Sequence, residues 1–189
     1  SIQSFILKND VDEALLYLNS FSRVIRMTLD FASRKRVSLS DEIEYLKHYT
    51  SLENMRFDNL FEFTVNLHPE IDPDSVMILP MITQIIVENS IKHGIMLLNS
   101  PGEILFTVEK YNENTYKCII KDNGIGRKSS QETKEKQGYF HESKGLNLVK
   151  DRLRSLNPDE KEIYKMKIID LIDDNGLAMG TQVELYLPY

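Results

Sequence analysis

The chain changes rhythm near residue 60. Before it, apolar side chains recur at Val11, Ala14, Leu15, Leu18, Phe21, Ile25, Leu29 and Ala32, in steps of three and four. That spacing puts one apolar stripe along a helix about six turns long. Asp10 precedes it with Glu13 three places on, an N-cap pattern, and Arg34-Lys35-Arg36 sets cations at its C-terminal end. A second helix starts at Ser38 to Glu42 and keeps the period through Leu39, Ile43, Leu46, Tyr49 and Leu52 to Arg56 or Phe57. Two helices joined by a short polar link predict an antiparallel hairpin. A hairpin alone cannot cover both stripes. It therefore packs on a second copy as a four-helix bundle, the reading we adopt, or on the rest of the chain.

Beyond residue 60 the period is two. Phe61, Phe63, Val65 and Leu67 alternate with Glu62, Thr64 and Asn66, a half-buried strand ended by His68-Pro69. Pro73 and Pro80 punctuate the next stretch, and Met81 to about Leu97 is helical in pattern, with Ile82, Ile85, Ile86 and Ile91 apolar. Strands are predicted over 103–111 and 115–121, joined by Asn112-Glu113-Asn114. Residues 127–143 are polar and read as a long loop, and a helix follows from Lys144 to Leu156. Strands near 163–173 and 180–187 flank Asp173-Asp174-Asn175-Gly176. The expected fold is α+β: a mixed, largely antiparallel sheet with helices on one face, preceded by a helical hairpin. The expected domains are 1–57 and 58–189.

Composition narrows the class. The 189 residues are 41% hydrophobic and 28% charged, which excludes wholesale disorder, collagen-like repeats and a disulfide scaffold. Cys118 is the single cysteine, so no internal disulfide forms, as expected in a reducing compartment. No apolar run approaches the roughly 18 residues of a membrane span, and no signal-peptide pattern opens the chain. We therefore expect a cytoplasmic location and no direct membrane contact. Twenty-three basic against 29 acidic residues give a net charge of −6. That argues against nucleic-acid binding, which draws its affinity from neutralised phosphates. A phosphate ligand would have to be held locally.

Four clusters could do chemistry. Asp122-Asn123-Gly124-Ile125-Gly126 follows a strand. Its glycines permit a tight turn and close backbone approach, and Asp122 could accept from an exocyclic amine. A plain Asn-Gly turn would read the same way. Glu88-Asn89 and Lys92-His93-Gly94 pair at helical spacing, Glu88 with Lys92 and Asn89 with His93. An acid, an amide oxygen and a cation there suit water, Mg2+ and phosphate, or else form a solvated salt bridge and a helix end. Lys144-Gly145-Leu146 opens a helix, where free N–H groups can seat a phosphate or mark an ordinary junction. Gly180-Thr181 enters the last strand, and the Thr181 hydroxyl could support a polar ligand or end a turn.

In order and context these clusters resemble the GHKL ATPases. Leu79-Pro80 through Gln84 and Val87 through Gly94 resemble the N box, Asp122 to Gly126 the G1 box, and Lys144-Gly145-Leu146 the G2 region. Gly180-Thr181 through Leu187-Pro188 is similar to the closing strand of the kinase branch. More narrowly, Glu42-Ile43, Tyr49, Leu52-Glu53, Arg56-Phe57 and Lys150-Asp151-Arg152-Leu153 resemble the LytS-type sensor histidine kinases. The resemblance implies a Bergerat ATP-binding sandwich from about residue 58, using ATP and Mg2+. It assigns Asp122 to the adenine amine with Thr181 in support, and Asn89 to Mg2+. Lys92 and His93 would lie near the phosphates and Glu88 would orient or activate a group at the γ-phosphate. Gly124, Gly126, Lys144, Gly145 and Leu146 would complete the nucleotide site, and 127–143 would be the ATP lid. It further implies a homodimer through the hairpin, a response-regulator partner and an upstream sensor, often in the membrane.

Two departures weaken the match. Ser143 stands where the family usually has glycine, and Leu148 where it tends to have asparagine, with Asn147 one place earlier. Weaker nucleotide binding is expected. The phosphoacceptor motif of the family is also not found: Ser1-Ile2-Gln3-Ser4 looks like the segment that follows it, and His48, His68, His93 and His141 lack its context. The expectation is a chain that binds ATP without phosphorylating itself. The competing readings are a degenerate GHKL module acting as a dimerising scaffold, a GHKL kinase acting on serine, and a DNA-remodelling or chaperone ATPase. The hairpin opposes the serine kinase, and the lack of room for a transducer domain opposes the ATPases.

Overall fold

The computed structural model describes residues 11–57, 59–98, 100–130, 144–156 and 165–188. The Asp10 cap, Ser1 to Ser4, the lid from 131 to 143 with His141 and Ser143, and residues 163 and 164 lie outside them. The chain forms two compact units, one of residues 1–60 with 73–81, the other of 61–72 with 82–189.

In the first unit, α1 (Val11–Ala32) and α2 (Leu39–Arg56) form the hairpin. The connection carries β1 (Val37–Ser38), which pairs antiparallel with β3 (Met77–Ile78). Residues 73–81 thus lie as a strap across the start of α2. Ser38 is its N-cap, its hydroxyl oxygen accepting the Asp41 N–H at 3.0 Å. The Leu39 and Ser40 amides donate to Val76 O at 2.8 Å and Pro73 O at 2.9 Å. The first donors of α2, which no intrahelical acceptor can serve, are met by cap and strap together.

The stripe read from the sequence on α1 has the right period but is not the face turned to α2. That face runs through Val24, Thr28 and Phe31, another set at helical spacing. Val24 and Phe31 are buried, and the Phe31 ring lies 5.6 Å from that of Tyr45. Thr28 donates to Val24 O and shares a hydrogen bond with the Tyr45 hydroxyl, and Arg23 pairs with Glu44. Val11, Leu15, Leu18, Phe21, Ile25 and Leu29 are exposed, from 41% at Leu18 to 70% at Leu29.

The second unit is built on a five-stranded sheet of β2 (Phe61–Leu67), β4 (Gly102–Asn112), β5 (Thr115–Asp122), β6 (Lys165–Ile172) and β7 (Ala178–Pro188). Their order is β2-β4-β5-β7-β6, with β2 and β4 parallel and every other pair antiparallel. Period-two alternation buries Ile104, Phe106 and Val108 of β4, Tyr116, Cys118 and Ile120 of β5, and Val183, Leu185 and Leu187 of β7. The helices α3 (Ile82–Asn89) and α4 (Lys144–Leu156) pack on each other, burying Ile82, Ile86, Val87, Val149 and Leu153. The α+β fold expected from the sequence is present. The helix expected up to Leu97 is α-helical only to Asn89, then a π turn over Ser90–Gly94 and a 3₁₀ turn over Ile95–Leu97. The loop expected from residue 127 begins as a helical turn over 126–130. A single turn needs no apolar face, and Arg127 is tied to Asp170 on β6 by two bonds of 2.6 and 2.7 Å.

Removing the Ser38 cap should cost about 1 kcal/mol. Thermal unfolding of Ser38→Ala is therefore expected to show a Tm lower by about 2–4 °C.

Candidate functional site

The strand period that fills the core with Tyr116, Cys118 and Ile120 carries on in phase to Asp122. A carboxylate is thereby set at a core position at the end of β5, only 4% exposed. Such burial is tolerable only with hydrogen bonds, and three converge on it. Ser90 Oγ donates to Oδ2 at 2.7 Å, and the Gly124 and Thr181 N–H groups donate to Oδ1 at 3.0 and 3.2 Å. A carboxylate offers about four acceptor positions, so Oδ1 is filled and Oδ2 retains room for one more donor. Burial raises the Asp122 pKa above its ordinary 3.8, and the bonds from Ser90, Gly124 and Thr181 oppose the rise.

The donors come from three elements. Ser90 opens the π turn after α3, Gly124 lies in the turn after β5, and Thr181 faces Asp122 across the β5–β7 register. The wider coil of a π turn redirects side chains and is frequent at functional sites. Here the turn brings Gly94 against Gly124: a Cβ added to Gly124 would lie 2.4 Å from the Gly94 Cα. A side chain at position 124 would forbid that approach. Ile125 N–H donates to Gly94 O, while Asn123 bonds Glu103 through both its N–H and its Oδ1. Gly126 has φ +76, the left-handed conformation that starts the 126–130 turn.

A second group gathers at the end of α3. Asn89 donates its Nδ2 to Ile85 O at 2.8 Å, which points its amide oxygen the other way. Lys92 forms an ion pair with Glu88, as their spacing predicts. Gly145 in the first turn of α4 comes close to Asn89, since a Cβ on it would lie 3.2 Å from the Asn89 Nδ2. Lys144 opens that helix, and Leu146 beside it is half-buried. His93 lies within the π turn, half-buried. The structure therefore joins Asp122, Gly124 and Thr181 in one group and Asn89 with Gly145 in another. Thr181 acts here through its backbone N–H; no bond of its hydroxyl to Asp122 is seen among the described residues. Sequence reasoning gave Ser90 and Gly94 no role at Asp122. No pattern of period 3.6 could have found them, because the π turn breaks that period.

No group of three or more histidine, cysteine or acidic side chains able to hold a metal occurs among the described residues. The Asn89 amide oxygen does fit Mg2+, which takes few protein ligands and completes its shell with water and substrate phosphate. No helix among the described residues is long and apolar enough to cross a membrane.

A family model described as histidine kinase matches residues 1–61. The chain is 28% identical over 146 residues to the uncharacterised protein YwpD of Bacillus subtilis (strain 168), covering 77% of this chain and 51% of that one. It is 28% identical over 190 residues to the sensor protein LytS of Oceanobacillus iheyensis, covering 97% of this chain and 30% of that one. The chain thus spans about half or less of the length of these relatives. Among solved structures, the histidine kinase domain of the Erythrobacter litoralis EL346 blue-light activated kinase superposes with a TM-score of 0.52 at 14% identity, over 97% of this chain and 82% of that one. The chain shares its fold with this histidine kinase domain. In sequence, the chain is similar over residues 1–61 to the histidine kinase family model and along most of its length to a LytS sensor protein.

A carboxyl whose pKa is raised on folding contributes stability below its unfolded value and loses it as pH rises through the folded one. Wild type should therefore lose stability relative to Asp122→Asn as pH climbs from about 3.8 towards neutrality. Urea unfolding of both proteins across that range reads the difference directly. A gap that does not change with pH would show that Asp122 is ionised at no net cost.

Proposed function

We propose that the chain binds Mg·ATP and forms the catalytic part of a two-component sensor histidine kinase. The observation that carries this reading is Asp122, a buried carboxylate fixed by three donors with one acceptor position left on Oδ2. A ligand that offers one exocyclic N–H, as adenine does, satisfies it. Thr181 supports the carboxylate through its N–H, and the Gly124 and Gly126 turn lets backbone approach the base. Asn89 holds Mg2+ through its amide oxygen. Lys92, His93 and the first turn of α4, Lys144, Gly145 and Leu146, serve the phosphates, where amide donors and the helix dipole favour negative charge. Glu88 orients or activates the group at the γ-phosphate.

The reaction is transfer of the γ-phosphoryl group to a histidine nitrogen, with the bond to the bridging oxygen broken and ADP released; a response regulator then takes the group onto an aspartate. Such transfer rests on positioning and charge stabilisation more than on covalent help from the protein. The hairpin, residues 1–57, is the dimerising part, and residues 58–189 are the catalytic part. The exposed stripe from Val11 to Leu29 supports dimerisation, because six large apolar residues at helical spacing face outwards. A second reading, a GHKL module that only dimerises and signals, is favoured by Leu148, an apolar residue 51% exposed where the family tends to have asparagine.

Calorimetric titration with ADP and a non-hydrolysable ATP analogue, with and without Mg2+, separates the readings. A hydrogen bond to a charged group is worth about 1.5–3 kcal/mol, so Asp122→Asn should weaken binding about ten- to a hundredfold. Asn Nδ2 can still donate to Ser90 Oγ, so the fold is expected to survive. Asn89→Ala should remove the Mg2+ enhancement alone. No binding at millimolar nucleotide would favour the scaffold. For the hairpin, Leu18→Glu with Ile25→Glu should convert a dimer into a monomer in sedimentation equilibrium.

A further inference from the structure

Asp122, Thr181 and Asp170 form one row across the sheet. Asp122 lies opposite Thr181 in the β5–β7 register, and Thr181 lies opposite Asp170 in the β6–β7 register. Residues directly opposite in a ladder share a face, so Asp122 and Asp170 stand on one face, two strand spacings or roughly 10 Å apart. β7 runs between them, and the chain after Asp122 crosses it. A Cβ added to Gly180 would lie 1.9 Å from Asp122 O and 2.9 Å from the Asn123 Cα. One added to Gly126 would lie 2.8 Å from the Ala178 Cβ. The next residue, Arg127, reaches β6 and grips Asp170, Nε donating to Oδ1 and Nη2 to Oδ2.

The turn over 123–126 is thus fastened along its whole course. Asn123 ties it to Glu103 on β4, Ile125 to Gly94 O, and Arg127 to Asp170 on β6. Arg127 and Asp170 are about half exposed, at 49% and 51%, and a charge pair so placed adds little to stability. What it adds is direction, because the planar fork meets the carboxylate at two points and fixes their relative geometry. The hydrogen bonds from Arg127 hold the Asp170 carboxyl below its ordinary 3.8.

We infer that Arg127 and Asp170 form a clamp that holds the 123–126 turn across β7, and with it the Gly124 N–H that Asp122 accepts. Both are positioning residues: they act on a bound base through the turn and touch no ligand. Without the clamp the turn samples more conformations, and a ligand must narrow them again on binding. The ligand is the nucleotide proposed above, so the binding arm of the test rests on that reading.

The test is calorimetric titration of the whole chain with Mg·ADP, for wild type, Arg127→Lys, Asp170→Asn and the double variant. Lysine keeps the charge and loses the fork, so the clamp should fail in Arg127→Lys as it does in Asp170→Asn. Each should weaken binding about three- to fivefold, with the Tm within about 2 °C of wild type. Both changes remove the same grip, so the double variant should lose no more than either one. Without ligand, the Gly124 and Ile125 amides should exchange about fivefold faster in each variant, while the Cys118 and Ile120 amides keep wild-type rates. Wild-type affinity in Arg127→Lys would overturn the clamp. Tighter binding in Asp170→Asn would too, because Arg127 would then serve the phosphates as a bare charge. Additive losses, or unchanged exchange at Gly124 and Ile125, would also overturn it. If Mg·ADP fails to bind the wild type, the nucleotide reading falls and the exchange rates alone decide the clamp.

Discussion

Asp122 sits where a strand would ordinarily place an aliphatic side chain, and the cost of desolvating a carboxylate there governs the architecture around it. The charge is tolerated because Ser90, Gly124 and Thr181 each direct a donor at it, and each donor needs its own element in register. The β5–β7 pairing sets Thr181 opposite, the Asn123-Gly124 turn folds back to supply an amide, and the helix after Asn89 widens into a π turn so that Ser90 reaches in. The close approach of Gly94 to Gly124 follows from that last adjustment.

Arrangement of the site by convergence on one group explains why its two halves are legible to different degrees. Asp122 could be read directly: Tyr116, Cys118 and Ile120 alternate with polar residues and Asp122 continues in phase, so a charge at a core position is written in the sequence itself. The turn glycines and the Glu88–Lys92 spacing were legible for similar local reasons. Ser90 and Gly94 were not, since they reach Asp122 only after the helix departs from 3.6 residues per turn, and a departure of that kind has no periodic signature. Thr181 was located as well, but the contribution of its amide to the carboxylate comes from a register pairing that the sequence does not display.

The hairpin shows the complementary failure. Its helices and their bounds follow from apolar spacing and from the Ser38 cap, yet α1 carries two stripes of the same period, and pattern alone does not say which meets α2. The stripe with more and larger apolar residues faces outwards, while Val24, Thr28 and Phe31, a shorter set interrupted by a hydroxyl, meets α2. Likewise nothing in residues 73–81, short of helical or alternating pattern and bounded by Pro73 and Pro80, announces a strand partner for Val37 and Ser38. Two-residue strands are fixed by tertiary contact, not by local preference.

The parallel pairing of β2 with β4 requires a crossover between them, and the strap is part of that crossover. The polypeptide leaves the sheet after β2, lays 73–81 along the hairpin and then returns to build α3. A fragment cut at the foot of α2 would carry Val76 and Ile78, each 1% exposed in the intact chain, with nothing to lie against. Recombination that exchanges the sheet half for that of a relative must therefore carry a matching start of α2 with it.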